Sequence, residues 1–184
     1  YGARKRKLIY NASNVRDPHS KCQIFAFSDS SWADVIPSRK STYAYLLFCN
    51  GSVFSWRSAL SSILATSSGV AELLAMCAAA QEIAWARKFA NECGFLQLSP
   101  TPLYVDSTAA ASIAERGSFK DKTKALGIRF QFICEFVTRG ILQVHRISRK
   151  HQLADIGTAP RAYPEFERMC KLIYGETHDF SLKP

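Results

Sequence analysis

The sequence predicts one α/β domain, a mixed five-stranded sheet with helices on both faces. Three observations point there. Three early apolar stretches are separated by turn signals, among them Asn50-Gly51. Helical and strand patterns alternate after that meander, which joins an antiparallel part of a sheet to a parallel one. With 184 residues, 47% of them apolar and 12% aromatic, the chain is long enough to bury one core.

Residues 1–21 are polar and basic, with Asn11, Ser13, Asn14, Asp17 and Pro18, and are expected to form a linker or tether. Cys22, Ile24 and Ala26 alternate with Gln23, Phe25 and Phe27, so 22–28 reads as a strand buried on both faces. DSSWADVIPSRKS (29–41) reads as a loop. TYAYLLFC and SVFSWRS read as strands of a hairpin turning at Asn50-Gly51. Residues 68–91 form the longest helix, with Leu73, Met76, Cys77, Ala80, Ile83, Ala84 and Phe89 as its apolar stripe. Ser67 or Ser68 can cap it, and Gly94 lies just past its end. Pro102–Asp106 is a strand, followed by a helix over STAAASIAE (107–115) and another over roughly 122–138 that stops at Gly140. ILQVHRIS is the fifth strand, a short helix covers about 151–157, and Phe166, Met169, Cys170 and Ile173 share one face of a final helix. The sequence holds no internal repeats.

A formal charge of +9 favours a polyanionic partner, nucleic acid being the commonest, over a merely soluble surface. Six cysteines at 22, 49, 77, 93, 134 and 170 form no C-x-x-C pair. They read as reduced, buried thiols in an intracellular setting, neither a disulfide framework nor a zinc site. No apolar run reaches membrane-spanning length, so no membrane partner is expected. The opening YGARKRKL has neither an initiator Met nor a signal peptide's apolar stretch, and the chain is expected to be a piece of a longer polypeptide.

Against that basic background stand four carboxylates at element ends. Asp29 closes CQIFAFSD, Glu72 is expected in the first turn of the long helix, Asp106 closes PLYVD, and Asp155 lies in HQLADIG after the last strand. In α/β sheets reactive groups gather at strand ends. Divalent ions need oxygen ligands, and phosphodiester chemistry needs such ions. Singly, each acid has a structural explanation: an Asx turn, a macrodipole partner, an N-cap, a first-turn acid. Glu72 borders the core stripe at Leu73 and Met76, where a carboxylate is costly unless something neutralises it. Asp34, Glu115, Asp121 and Glu165 read as solvated. Arg39, Lys40, Ser41, Arg57, Lys122 and Lys124 are candidate phosphate contacts, with Ser107 beside the third acid; solvated surface is the alternative for each. Trp32 can stack or support the first acid, Trp56 and Trp85 read as core or rim, and His145 as structural.

The segments FSDSSWAD, SRKSTYAYLLFCNGSVFSWRS, ATSSGVAELLAM, AAQEIAWARKF, LYVDSTAAASIA, KTKALGIRFQFICE and HQLADIGTAP, in that order, resemble the ribonuclease H domain of copia-type LTR retrotransposon polyproteins. The resemblance covers about Lys21 to Pro160. It implies a ribonuclease H-like fold over 22–160, with 161–184 as a C-terminal helix and tail. It assigns Asp29, Glu72, Asp106 and Asp155 as metal-binding catalytic acids holding two Mg2+ ions about 3.5–4 Å apart, Mn2+ being a substitute. The implied activity is hydrolysis of the RNA strand of RNA–DNA hybrids during reverse transcription. Asp29 would bridge the ions, and Glu72 would orient the nucleophile near the RNA 2′-OH. His151, four residues before Asp155, is the candidate for the mobile histidine of related enzymes, with a surface histidine as the alternative. A reverse transcriptase domain upstream in the same polyprotein is the implied partner, and the cytoplasm, a virus-like particle or the nucleus the implied place. Ser31, Gly69-Val70, Ala125, Gly127, Gln131 and Ala159 depart from the family pattern; the changes around 125–131 keep open a catalytically weak or inactive hybrid-binding scaffold.

Overall fold

Alternation along IFAFSDSS sends Ile24, Ala26 and Ser28 to one side of a strand and Phe25, Phe27 and Asp29 to the other. In the computed structural model, which describes residues 6–10, 22–108 and 124–177, that strand lies at the centre of the sheet. It is β1 (Ile24–Val35). The order along the chain continues with β2 (Lys40–Cys49), β3 (Ser52–Leu60), α1 (Ser68–Glu92), β4 (Thr101–Val105), α2 (Lys124–Thr138), β5 (Leu142–Arg146), two 3-10 turns (Arg149–His151 and Leu153–Gly157) and α3 (Tyr163–Ile173). The five-stranded sheet runs β3-β2-β1-β4-β5, the first three strands antiparallel and β1, β4 and β5 parallel, as expected.

Both sheet faces are covered. Ile24, Ala26, Tyr45, Leu47, Leu103 and Leu142 pack under α1 and α2, against Leu73, Met76, Ile83 and Ile133. Phe27, Ala44, Leu46, Phe48 and Ile147 face Leu153, Ala154, Met169 and Leu172 of the second 3-10 turn and α3. Each fully buried side chain of this size contributes roughly 1.5–3 kcal/mol. Phe25 stacks on Phe48 at 5.0 Å between ring centres, which stiffens the β1–β2 pair.

Several expectations are corrected. Of residues 29–41 only 36–39 form a turn: β1 pairs on with β2 through Asp29↔Ala44, Ser30↔Tyr43 and Ser31↔Thr42, then bulges before Val35↔Lys40. The stretch is polar because it outruns β4, whose pairing with β1 covers only Ala26↔Leu103 and Phe27↔Tyr104. Asp29 is therefore in mid-strand. Helix α1 begins at Ser68, capped by the Ser67 hydroxyl, so Glu72 lies one turn deeper than expected. The short helix expected around 151–157 is a 3-10 helix over Leu153–Gly157, separated from the one over Arg149–His151 by Gln152, whose amide donates to Ser28 O at 2.9 Å while Oε1 accepts from Ala154 N at 3.2 Å.

Within the N-terminal stretch, the described segment 6–10 lies against the C-terminal helix and the residues after it. Arg6 pairs with Glu167 at 2.5 Å and Glu176 at 2.9 Å, and Ile9 N donates to Tyr174 O at 2.8 Å. Cys93 is exposed, and Trp56 and Trp85 are more than half exposed, because β3 is an edge strand and Trp85 stacks on Phe89 at the surface. The expected helix over 107–115 lies outside the described residues beyond Thr108, as do Glu115, Asp121 and Lys122.

Candidate active site

Because β4 stops at Val105 while β1 runs on to Val35, the second half of β1 extends past its β4 partner. The carboxyl end of a parallel strand such as β4 is the usual ligand position of an α/β sheet. Asp29 lies two residues past the last β1–β4 pair and Asp106 directly follows β4. Glu72 is delivered from α1. One carboxylate oxygen from each of the three lies within 4.8 Å of the others.

These acids come from opposite sides of β1. Ser30 points toward α1 and donates to Glu72 Oε1 at 3.0 Å. Asp29 points the other way, where Thr158 donates its hydroxyl hydrogen to Asp29 Oδ2. The acids meet beside the part of β1 that extends beyond the β1–β4 pairing. Gly157 makes the Thr158 contact possible: it lies over Ala44 and Ser58, which are in register with Asp29 across β2 and β3. A methyl at Gly157 would sit 2.7 Å from Ala44 Cβ, and Ser58 Oγ donates to Gly157 O at 2.6 Å.

Burial and mutual repulsion dominate the electrostatics. Glu72, 8% exposed, has its carboxyl pushed up to about 8 by burial and then by Asp29, with the Ser30 bond opposing. Asp29, 4% exposed, is pushed up to about 7 by burial, with Thr158 opposing and Asp155 and Asp106 adding to the rise. Glu72 Oε2 is buried without a hydrogen-bond partner. A buried carboxylate with one unmet oxygen, in a residue that joins a cluster of hard oxygen donors, fits a Mg2+- or Mn2+-class ion, which would offset both penalties.

Asp155 stands apart from this trio. Its carboxyl and that of Asp29 influence each other, but it is ion-paired through Oδ1 to Arg161 Nη2, with Arg149 Nε 3.9 Å from Oδ2. Burial raises its carboxyl, and Arg161 works against that rise. His151 sits on the other 3-10 turn, its Nδ1 3.2 Å from Ser148 Oγ, so the two do not share a helical face.

The candidate phosphate contacts divide. Arg39 is exposed in the β1–β2 turn, Lys40 is half-buried at the start of β2, and Arg57 is exposed with its guanidinium 6.0 Å from the Tyr43 ring centre. Ser107 is half-buried, and Lys124 begins α2. Ser41 is corrected: it is 1% exposed and its Oγ accepts from Ala33 N at 3.1 Å, so it braces the β1 bulge inside the hairpin. Trp32 is half-exposed, its indole donating to Ala65 O at 3.0 Å. Sequence reasoning missed Ser30, Gln152, Thr158 and Arg161. Gln152 and Thr158 lay inside the quoted HQLADIGTAP, whereas nothing local marks Arg161.

No family model matches the sequence. The chain is 31% identical over 149 residues to the retrovirus-related Pol polyprotein from transposon TNT 1-94 of Nicotiana tabacum, covering 81% of this chain and 11% of that one. It is 27% identical over 150 residues to the corresponding polyprotein from transposon RE1 of Arabidopsis thaliana, covering 82% and 10%. The chain thus spans about a tenth of the length of these relatives. Among solved structures, LC11-RNase H1 in complex with RNA/DNA hybrid superposes with a TM-score of 0.55 at 18% identity over 88% of this chain and all of that one. RNase H1 from Halobacterium salinarum gives 0.52 at 17% identity over 74% and 94%. These superpositions establish the fold. Among the described residues no helix is long and apolar enough to cross a membrane.

Proposed function

The chain is homologous to the retrovirus-related Pol polyproteins of plant transposons and has the ribonuclease H-like fold; from that premise we propose that it is a metal-dependent endonuclease that cuts the RNA strand of RNA–DNA hybrids during reverse transcription. One observation carries the reading: Asp29, Glu72 and Asp106 converge within 4.8 Å in a chain of net charge +9. A scaffold gains nothing from crowding three acids around an unpartnered Glu72 oxygen.

Asp29, Glu72 and Asp106 would hold the Mg2+ or Mn2+, with Asp155 beside Asp29 as the fourth acid. Bound there, divalent ions would supply an activated water and offset negative charge on the phosphodiester. Thr158 keeps Asp29 in one orientation, and Ser30 engages Glu72 Oε1, leaving Oε2 without a hydrogen-bond partner. A divalent ion held here would favour the ionised form of the Glu72 carboxyl, which burial otherwise raises to about 8. Arg39, Lys40 and Arg57 would meet the hybrid backbone. The partner reading is a reverse transcriptase domain elsewhere in the same polyprotein, acting in the cytoplasm, a virus-like particle or the nucleus.

The test is Mg2+- or Mn2+-dependent cleavage of a labelled RNA–DNA hybrid, with double-stranded RNA and a four-way junction alongside. Cleavage should be confined to the RNA of the hybrid and fall by at least about a hundredfold in Asp106→Asn. Hybrid binding without cleavage by either protein would move the assignment to a non-catalytic scaffold.

A further inference from the structure

Arg161 lies in the short irregular connection between Gly157 and α3, and its side chain is only 13% exposed. Its Nη2 is ion-paired with Oδ1 of Asp155, a side chain 3% exposed. Yet Arg161 Nε and Nη2 are both buried without a well-formed hydrogen bond, and so is Asp155 Oδ2. A guanidinium kept for structure normally has its donors met, since each unmet donor costs free energy inside a protein. This one is held chiefly by charge. It also places a positive charge at the edge of an acidic cluster.

We propose that Arg161 is a built-in counter-ion: it occupies Asp155 in the metal-free protein and must withdraw before Asp155 can ligate a divalent ion. This rests on the metal-site reading above. The consequence is two unlike metal positions. Asp29, Glu72 and Asp106 are already gathered, whereas a position that needs Asp155 must compete with a resident cation. Filling the weaker position should therefore require a higher metal concentration. The connection at 158–162 belongs to no strand or helix, so the arginine can move without disturbing the sheet or α3.

Mn2+ binding to the wild type, Arg161→Met and Arg161→Lys, followed by calorimetry and electron paramagnetic resonance, tests this. Arg161→Met retains bulk without charge and should bind its weaker ion about tenfold tighter, because a like charge next to the ion has gone. Arg161→Lys should stay near the wild type. A packing role alone would lower melting temperature without tightening Mn2+. In the wild type, titration with Mg2+ should shift the Arg161 Nε–Hε resonance, a measurement that needs no variant to fold. Unchanged or weaker Mn2+ binding by a folded Arg161→Met, or a static Arg161 resonance while Mg2+ saturates, overturns the proposal. If the wild type binds and cleaves but Arg161→Met matches it, only the counter-ion idea falls. If the wild type takes up neither ion, the metal reading falls with it.

Discussion

The hydroxyl of Thr158 hydrogen-bonds to Oδ2 of Asp29 across 129 residues of sequence. It is the contact that most opposes burial in setting the Asp29 carboxyl. Thr158→Val retains the shape and removes the donor, so Asp29 should titrate above about 7. Hybrid cleavage near neutral pH should fall about tenfold, its pH profile should move upward, and folding should lose about 1 kcal/mol. An unchanged profile would count against the role given to Thr158.

Glu72 and Asp29 make metal-free stability depend on pH. Their ordinary values are 4.5 and 3.8, and in the folded chain they rise to about 8 and about 7. A carboxyl whose value is raised by folding stabilises the fold fully only below its ordinary value, and that contribution disappears as pH climbs through the raised one. The metal-free protein should lose on the order of a few kcal/mol between about pH 4 and pH 8. Glu72→Gln should flatten the curve, and Mg2+ added at the alkaline end should restore stability. Denaturant titrations across pH, with chelator and with Mg2+, measure both effects.

Gln152 ties the site to the sheet. Its amide reaches Ser28 O on β1 at 2.9 Å and Tyr104 O on β4 at 3.5 Å. Gln152→Leu matches it in size but strands buried carbonyls, which should cost roughly 2–3 kcal/mol. Since the same residue introduces the turn bearing Asp155, metal affinity should fall with stability. A stable variant with full affinity would show that the turn holds its place by packing alone.

Gly157→Ala brings a methyl to 2.7 Å from Ala44 Cβ, where neither backbone can yield easily. Cleavage should drop because Thr158 and Asp155 shift away from Asp29. Adding Ala44→Gly should recover part of the loss, a coupling of about 1 kcal/mol or more that a double-mutant cycle reads directly. Strict additivity would place the defect elsewhere.

The five strands and the three described helices were legible because period-two and 3.6-residue patterns are local properties of the chain. Asp29, Glu72 and Asp106 could be singled out because carboxylates closing apolar runs, and one beside a core stripe, are conspicuous in a basic protein. The stretch 29–41 misled because polarity reads as loop when half a strand overhangs its neighbour. Gln152 misled because a side chain that bonds to the sheet overrides helical spacing at 151–157.

What the sequence by itself determined is therefore the set of elements, the topology class and a short roster of acids. Only the tertiary structure decided that Asp29 and Glu72, fixed from opposite faces of β1, meet at a strand edge where β4 has ended. It also decided that Asp155 rests against Arg161 and not in the trio. The reason is physical: side-chain periodicity is set by neighbours in sequence. Angstrom-scale contacts between distant residues depend on register, on where strands terminate, and on small residues such as Ala44 and Gly157 that allow two layers to touch.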